Sequence, residues 1–526
     1  PDREALLRRV YQAGRTLAHL CDTTWRRIDR LLADRGGRRT AVRRSGPRPG
    51  PILTPLGGGV AVSEGEVVLS ADARLGQDAL LPLRAGFEAA ERHLLLSPYA
   101  CDRLSRSYVP LRTPWPEEAR RLWTGLLGAG RDLVPVWETL DQAGLIEPLL
   151  QEWAAVRWKP QWSSAHLHTV DRHLLQTCVE ASALVRRVSR PDLLVAAALL
   201  HDIGKGQPGD HSTAGAALAR RIAPRWGFDE HDTAVLVGLV RHHLLLIESA
   251  TRRDLDDPAT VKRVAMAVGD AHTLDLLAAL TEADARATGP VAWTPWRAGL
   301  LTRLVELVRA RLERGEVPAP APLEPWQAGL VSSGEIEVVV EPSPDGASDT
   351  SQITIVAPDQ VGLLATVAGV LATARLSVRS ASVETLDLAG VSVWSVGGDP
   401  PDPALVRERL ISALSGGVDL ARRLTAADQA YEEDPDVAPA NVRVVPGVSA
   451  TATVLEVRAH DRPGLFWRIC AALAGAGCSV RSAHVSTWAN EAVDVFYLTT
   501  PDGTPLSEND AESARSAIES ALVDYI

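Results

Sequence analysis

The sequence predicts a multidomain α+β protein: a helical region, an all-α domain, and then two copies of a smaller unit that mixes strands with helices. Three observations predict it. From residue 166 to 314 apolar side chains recur at helical spacing, as in Leu193, Ala197 and Leu200, or Leu277 and Leu280. Residues 315–325 are crowded with prolines, which cannot supply the amide that a helix or a central strand needs. Beyond them the chain repeats itself: Asp359, Gly362, Leu363, Leu371, Ala372, Ser377, Val378, Arg379, Ser380 and Ala381 recur at one constant offset as Asp461, Gly464, Leu465, Leu473, Ala474, Ser479, Val480, Arg481, Ser482 and Ala483. So long a match without a gap indicates duplication.

In chain order, residues 5–33 place Leu6, Val10, Leu17, Leu20 and Trp25 at mostly helical spacing, which predicts a long amphipathic helix. Residues 34–50, rich in Gly, Pro and Arg, break it and read as a solvated linker rather than a phosphate-binding arm. Residues 60–69 alternate apolar and polar around Ser63, Glu64 and Gly65, the pattern of a small β-hairpin. Helical patterning returns over 80–158. The expected domains are therefore 1–160, helical with a small hairpin; 161–315, all-α; 335–430, the first copy; and 448–526, the second. Each copy reads as a strand, a Gly-containing turn, an amphipathic helix and two alternating strands, and residues 435–446 separate the copies.

Composition narrows the function classes. A formal net charge of -11 disfavours nucleic acid or an anionic membrane as a partner, because either requires a neutralising cationic face. No apolar run reads as the roughly 18 to 20 residues that span a bilayer, and no signal-peptide core opens the chain. Pro1 reads as a truncation point. The five cysteines, Cys21, Cys101, Cys178, Cys470 and Cys478, form no C-x-x-C pair, which fits a reducing cytoplasm. Lysine occurs only at 159, 205 and 262.

The chemistry concentrates in the all-α domain. His173, the pair His201 and Asp202, and Asp284 fall on three expected helices. Asp284 follows Leu280 by four residues and Leu277 by seven, which turns a carboxylate onto the apolar stripe; His201 follows Ala197 by four. A buried carboxylate without a partner costs several kcal/mol or protonates, so an inward set of two His and two Asp points to a shared divalent cation. Mixed N and O ligands suit Mn²⁺ or Mg²⁺ and are compatible with Zn²⁺ or Fe²⁺. Gly204 is expected to end its helix in a left-handed conformation, and Lys205 beyond it offers a cation to a phosphate oxygen. His211 and His243 read either as ligands of a second metal or a phosphate, or as supporting or surface histidines. His166, His168 and His242 are weaker candidates. Asp171 reads as a helix N-cap. The chain has no G-x-x-x-x-G-K-[ST] loop and no G-x-S-x-G elbow, which leaves NTPase and serine-hydrolase mechanisms without support.

The run from Leu199 to Gly206, with Asp202 beside His201, resembles the signature of HD-superfamily phosphohydrolases. The resemblance implies His173, His201, Asp202 and Asp284 as metal ligands, and hydrolysis of a phosphate ester. Asp359-Gln360-Val361-Gly362-Leu363 and Asp461-Arg462-Pro463-Gly464-Leu465 resemble the strand-to-helix turn of the ACT domain, a ferredoxin-like βαββαβ fold that commonly binds amino acids. There Gly lets the backbone approach a ligand, and helix-start amides favour a carboxylate. Asp359, Val361, Gly362 and Leu363, with Asp461, Arg462, Gly464 and Leu465, are thus the candidate effector residues, and the second copy is the closer match.

The order of these parts, with Thr169-Val170-Asp171-Arg172-His173, Gly209-Asp210-His211-Ser212, Arg253-Asp254-Leu255-Asp256-Asp257-Pro258 and Thr281-Glu282-Ala283-Asp284, resembles the bifunctional PII uridylyltransferase and uridylyl-removing enzymes. That resemblance implies removal of UMP, or AMP in an actinobacterial member, from a tyrosine of the PII signalling protein, favoured by glutamine at the ACT domains. Lys205, His211 and His243 are the candidates to assist catalysis. Residues 1–160 resemble the family's helical connecting region. No Gly-Ser turn with a close acidic pair marks a nucleotidyltransferase, so that activity is expected to be absent from this chain. ACT units often pair sheet to sheet, within a chain or in a homo-oligomer. Two other readings stay open: an HD-type hydrolase of free nucleotides such as guanosine tetraphosphate, and a non-catalytic amino-acid sensor.

Overall fold

The structure, a computed structural model, describes residues 2–37, 52–162, 166–315, 335–342, 350–360, 362–386, 389–429, 439–488 and 491–523. The linker residues 38–50 and 316–325, and Val361, lie outside the described residues. The chain divides into two compact units, one of Pro1–His243 with His272–Ala292, the other of Leu244–Ala271 with Trp293–Ile526.

The first unit opens with helix α1, Arg3–Gly37. The apolar residues whose spacing predicts it stay outside: Leu6, Val10, Leu17, Leu20 and Trp25 are each more than half exposed. Arg15 instead ties α1 to the unit, through ion pairs with Glu138 and the buried Asp171. The expected hairpin is strands β2, Val60–Ser63, and β3, Glu66–Leu69, with Ser63 paired to Glu66. Its two loop residues, Glu64 and Gly65, have φ of 50° and 75°, the left-handed pair of a type I′ turn that matches strand twist. Strands β1, Thr54–Gly57, and β4, Leu95–Leu96, extend the hairpin to four strands in the order β1-β2-β3-β4.

Helices α2, Leu81–Glu91, α3, Pro98–Arg106, α4, Glu117–Leu127, α5, Leu133–Gln142, and α6, Trp153–Val156, follow. They hold a tryptophan cluster: Trp123, Trp137 and Trp153 join Trp226 of the next domain, all fully buried, with Trp123 and Trp226 centroids 5.5 Å apart. Burial of such rings is a large apolar contribution, so this cluster welds the helical region to the domain that follows. That domain supplies α7, Val170–Ser182, α8, Pro191–Leu200, α9, His211–Arg225, α10, Glu230–Arg241, and, later in the chain, α13, Ala271–Thr288. Helix α8 is apolar all round and buried from Leu193 to Leu200, as a central helix must be.

The second unit contains α11, Leu245–Arg252, α12, Pro258–Val268, and α14, Pro295–Arg314, together with both copies of the repeat. The stretch Glu230–Arg252, across α10 and α11, is by length and composition apolar enough to cross a membrane, a run the sequence reading passed over. Half of it is buried in the protein, and a turn at His242–Leu244 breaks it.

The first copy comprises β5, Glu337–Pro342, β6, Thr350–Pro358, α15, Leu363–Thr373, β7, Ser377–Leu386, β8, Ala389–Gly397, and α16, Pro403–Leu414, followed by α17, Leu420–Gln429. The second comprises β9, Asn441–Val444, β10, Thr453–His460, α18, Leu465–Gly475, β11, Ser479–Trp488, β12, Glu491–Thr499, and α19, Glu508–Val523. The α+β class is as the sequence predicts. Within each copy the outer strand precedes the repeat, giving the described order ββαββα. The copies join edge to edge in one eight-stranded sheet, β5-β6-β8-β7-β11-β12-β10-β9. The joint is antiparallel and centred on Ala381 paired with Ala483, the same position of both copies, so a local pseudo-twofold relates them.

The acidic stretch after α11 docks on the sheet face of the second copy. Ser482 Oγ donates to Asp254 Oδ2 at 2.9 Å, the Asp254 amide donates to the Tyr497 hydroxyl at 3.0 Å, and Ser449 donates to Asp257. These residues read in the sequence only as part of a family resemblance; in the fold they fasten α11 and α12 to the sheet.

Candidate metal centre

Three segments of the first unit deliver the predicted ligands. His173 sits in the first turn of α7. Helix α8 stops at Leu200, so His201 caps it and Asp202 lies in the bend before the short 3-10 turn Ile203–Gly206, just past the helix where the sequence put them. Asp284 projects from α13, with its side chain 18% exposed.

Their ligand atoms converge. His173 Nε2 lies 3.2 Å from His201 Nε2 and 2.9 Å from Asp284 Oδ1; His201 Nε2 lies 3.4 Å from Asp284 Oδ1. Asp202 Oδ2 is 3.7 and 3.6 Å from the same two nitrogens. A divalent cation with ligands at about 2.0–2.2 Å holds them roughly 3–3.6 Å apart, so the spacing suits one ion. His201 Nδ1 donates to the Ala198 carbonyl at 2.9 Å, which leaves Nε2 as a lone pair aimed inward, the usual way a second hydrogen bond orients a metal-binding imidazole.

The carboxylate of Asp202 faces two groups. Its Oδ2 belongs to the set above, while Oδ1 lies 3.5 Å from His211 Nε2 and 3.7 Å from His243 Nε2. That Oδ1 is buried and has no hydrogen-bond partner, a costly arrangement for protein groups alone. His243 Nδ1 donates to the Val240 carbonyl at 2.8 Å, again leaving Nε2 inward. Two groups with metal-binding geometry therefore share Asp202: His173, His201 and Asp202, and Asp202, His211 and His243.

Electrostatics agree with a place built for positive charge. Burial works against ionisation of Asp202, but His201, Lys205, His243 and His173 outweigh it and hold its pKa below the usual carboxylate range. Asp284 is likewise held well below that range, by His201 and His173 against burial. Burial opposes charge on His201, yet Asp284 and Asp202 raise its pKa. His243 goes the other way: burial lowers its pKa to about 4, against the pull of Asp202.

The remaining sequence candidates find definite places. Lys205 Nζ pairs with Asp202 Oδ2 at 2.6 Å and donates to Gln161 Oε1 at 2.7 Å, so it braces the carboxylate at the edge of the site. Gln161 gave no sequence signal, standing outside every motif. Gly204 is not left-handed. It is required because a Cβ there would lie 2.0 Å from the His211 carbonyl oxygen, where α9 crosses the 3-10 turn. Asp171 is neither ligand nor N-cap: Thr169 holds the cap position, and Asp171, fully buried, accepts from Thr169 Oγ1 at 2.6 Å and pairs with Arg15. The His166 ring packs against His173 with centroids 5.5 Å apart, outside both ligand groups.

In the second unit Gly362 and Gly464 cap α15 and α18 with φ of 85° and 83°, the left-handed conformation that glycine adopts freely. Asp461, Arg462, Gly464 and Leu465 line a cavity of about 700 Å³ between the two copies, with Ala368, Arg375, Arg423 and Asp494. Asp359, Gly362 and Leu363 of the first copy are not part of it.

Comparison with known proteins places these parts. Residues 170–285 match the HD domain family, and residues 351–414 and 453–514 match the ACT domain family. A bifunctional uridylyltransferase/uridylyl-removing enzyme of Streptomyces coelicolor is 46% identical over 99% of this chain, and one of Mycobacterium tuberculosis is 38% identical over the whole of this chain. One of Gluconobacter oxydans is 31% identical over 78% of the chain. The chain spans 69%, 65% and 51% of the length of these three relatives. With an HD match, two ACT matches later in the sequence and a relative 46% identical over nearly all of it, the chain belongs to the bifunctional uridylyltransferase/uridylyl-removing enzyme family.

Proposed function

We propose that this protein hydrolyses the phosphodiester joining a nucleotide, UMP or AMP, to a tyrosine of the PII signalling protein, and that glutamine at the ACT pair regulates it. The observation that carries the reading is the convergence of His173, His201, Asp202 and Asp284 from three segments of the helical domain, in a family whose relatives are named as uridylyl-removing. Those four side chains hold a divalent cation, Mn²⁺ or Mg²⁺ by their mixed donors and Zn²⁺ or Fe²⁺ as alternatives. When bound, such a cation lowers the pKa of water and offsets charge on non-bridging phosphate oxygens.

The protein's own groups do the rest. Lys205 keeps Asp202 ionised and presents positive charge at the site edge, while His211, 30% exposed, stands at the mouth within reach of an incoming phosphodiester. The leaving phenol has an unperturbed pKa near 10, so no strong general acid is required of them. The reading is tested by incubating nucleotidylated PII with the protein, Mn²⁺ and glutamine and measuring intact mass. Loss of the nucleotide, its mass telling UMP from AMP, is the expected result; unchanged PII beside hydrolysed guanosine tetraphosphate overturns it.

A further inference from the structure

Helix α1 turns a polar stripe towards the body of its unit. Its apolar residues Leu6, Val10, Leu17 and Leu20 are exposed, whereas Arg15, His19, Asp22 and Arg26, three or four residues apart and so on one face, line a cavity of about 620 Å³. The opposite wall is Gln161 with the residues that lead into α7, among them His166, His168 and Arg172. A helix packed only for stability buries its apolar stripe. One that turns its polar face to the body encloses room for a polar occupant.

This cavity adjoins the metal centre. Gln161 Oε1, on its wall, accepts from Lys205 Nζ at 2.7 Å, and Lys205 stands 2.6 Å from Asp202 Oδ2. His166, on the same wall, packs edge-on against His173. A phosphodiester between a nucleotide and a protein tyrosine has two substituents. The tyrosine stays attached to a folded partner outside, so the nucleoside is the one free to enter a cavity one side chain away.

The lining suits a nucleobase. Arg15 is committed to Glu138 and Asp171. The Arg172 guanidinium, half-buried beside them, has no ion pair or hydrogen bond among the described residues. Desolvating such a group without an acceptor is costly, and a base supplies acceptors in its ring carbonyls and nitrogens. It also offers a flat face that stacks on imidazole and guanidinium planes, of which His19, His168 and Arg172 provide three. Asp22, exposed on α1, offers an acceptor to ribose hydroxyls. The volume lies within the roughly 300–1,000 Å³ typical of small-ligand sites.

We propose that the cavity between α1 and the entry to α7 receives the nucleoside of the substrate, with Arg172 donating to the base and the rings of His19 and His168 flanking it, while the phosphate lies at the metal centre. The proposal rests on the function proposed above, and adds where the nucleotide is read and by which residues.

Calorimetry on the Mn²⁺-loaded full chain compares UMP and AMP with ribose 5-phosphate, which has the same phosphate ester and no base. Wild type is expected to bind one of the two nucleotides at least about tenfold more tightly than ribose 5-phosphate. Ala18→Trp, which fills the cavity from α1 without removing a polar group, and Arg172→Gln should each cut that preference to about twofold or less. Both should raise KM for nucleotidylated PII by about tenfold. Because Ala18 is exposed on its helix, that variant carries the test where Arg172→Gln unfolds early. A wild type without the preference, or an Ala18→Trp protein that keeps it, overturns the proposal, while release of nucleotide from PII by the same wild type leaves the proposed function standing. A wild type that releases no nucleotide from PII removes that function, and the proposal with it.

Discussion

The Nε2 atoms of His173 and His201 face each other at 3.2 Å, and the proton of His201 is already committed through Nδ1 to the Ala198 carbonyl. Two ring nitrogens so placed, with Asp284 Oδ1 beside both, are stable around a positive centre and not as a neutral pair. His201→Ala and Asp202→Ala are each expected to abolish metal retention and lower hydrolysis at least about a hundredfold, while the ACT unit keeps its melting transition. Metal analysis with a phosphodiesterase assay checks this; full activity in either variant refutes the ligand assignment.

Asp202 serves a second group through Oδ1, with His211 and His243. Metal-loaded protein is therefore expected to carry two divalent ions per chain and His243→Ala to carry one. Quantitative elemental analysis after gel filtration distinguishes the cases, and a wild-type ratio of one assigns His211 and His243 to supporting roles.

Burial pushes the Asp141 carboxyl up to about 6, more than Arg157 and Arg15 pull it down. A carboxyl raised on folding binds its proton more tightly in the native state, so its stabilisation is complete below pH 4 and is lost as pH rises through 6. Relative to Asp141→Asn, wild type is expected to lose about 3 kcal/mol between pH 4 and pH 7, read from urea unfolding at both values. Parallel pH profiles for the two proteins would contradict the assignment.

Thiol reactivity should follow burial. Cys101 is pushed up to about 12 by desolvation, Cys178 and Cys470 are raised as well and buried, and Cys21 is exposed on α1. Because the thiolate is the reacting species, a maleimide at neutral pH should label Cys21 in native protein at least tenfold faster than these three. Peptide mass mapping of a brief labelling pulse gives the comparison.

Much of this was legible in the sequence because chemistry and periodicity coincided. Asp284 falls on the stripe of Leu277 and Leu280, where an acid without a partner is costly. The Glu64–Gly65 turn announced its hairpin through a residue pair that tolerates positive φ. What spacing could not show is what a helix face meets: the apolar residues of α1 look like a core stripe and stay exposed. Gly204 was noticed, but its reason, the crossing of α9, is a tertiary contact.

The joint at Ala381 and Ala483 bears on assembly. Both strands by which one copy meets the other, β7 and β11, are consumed inside a single polypeptide, and the free margins of the sheet are β5 and β9. The two walls of the cavity between the copies thus arrive covalently linked, at a fixed one-to-one ratio.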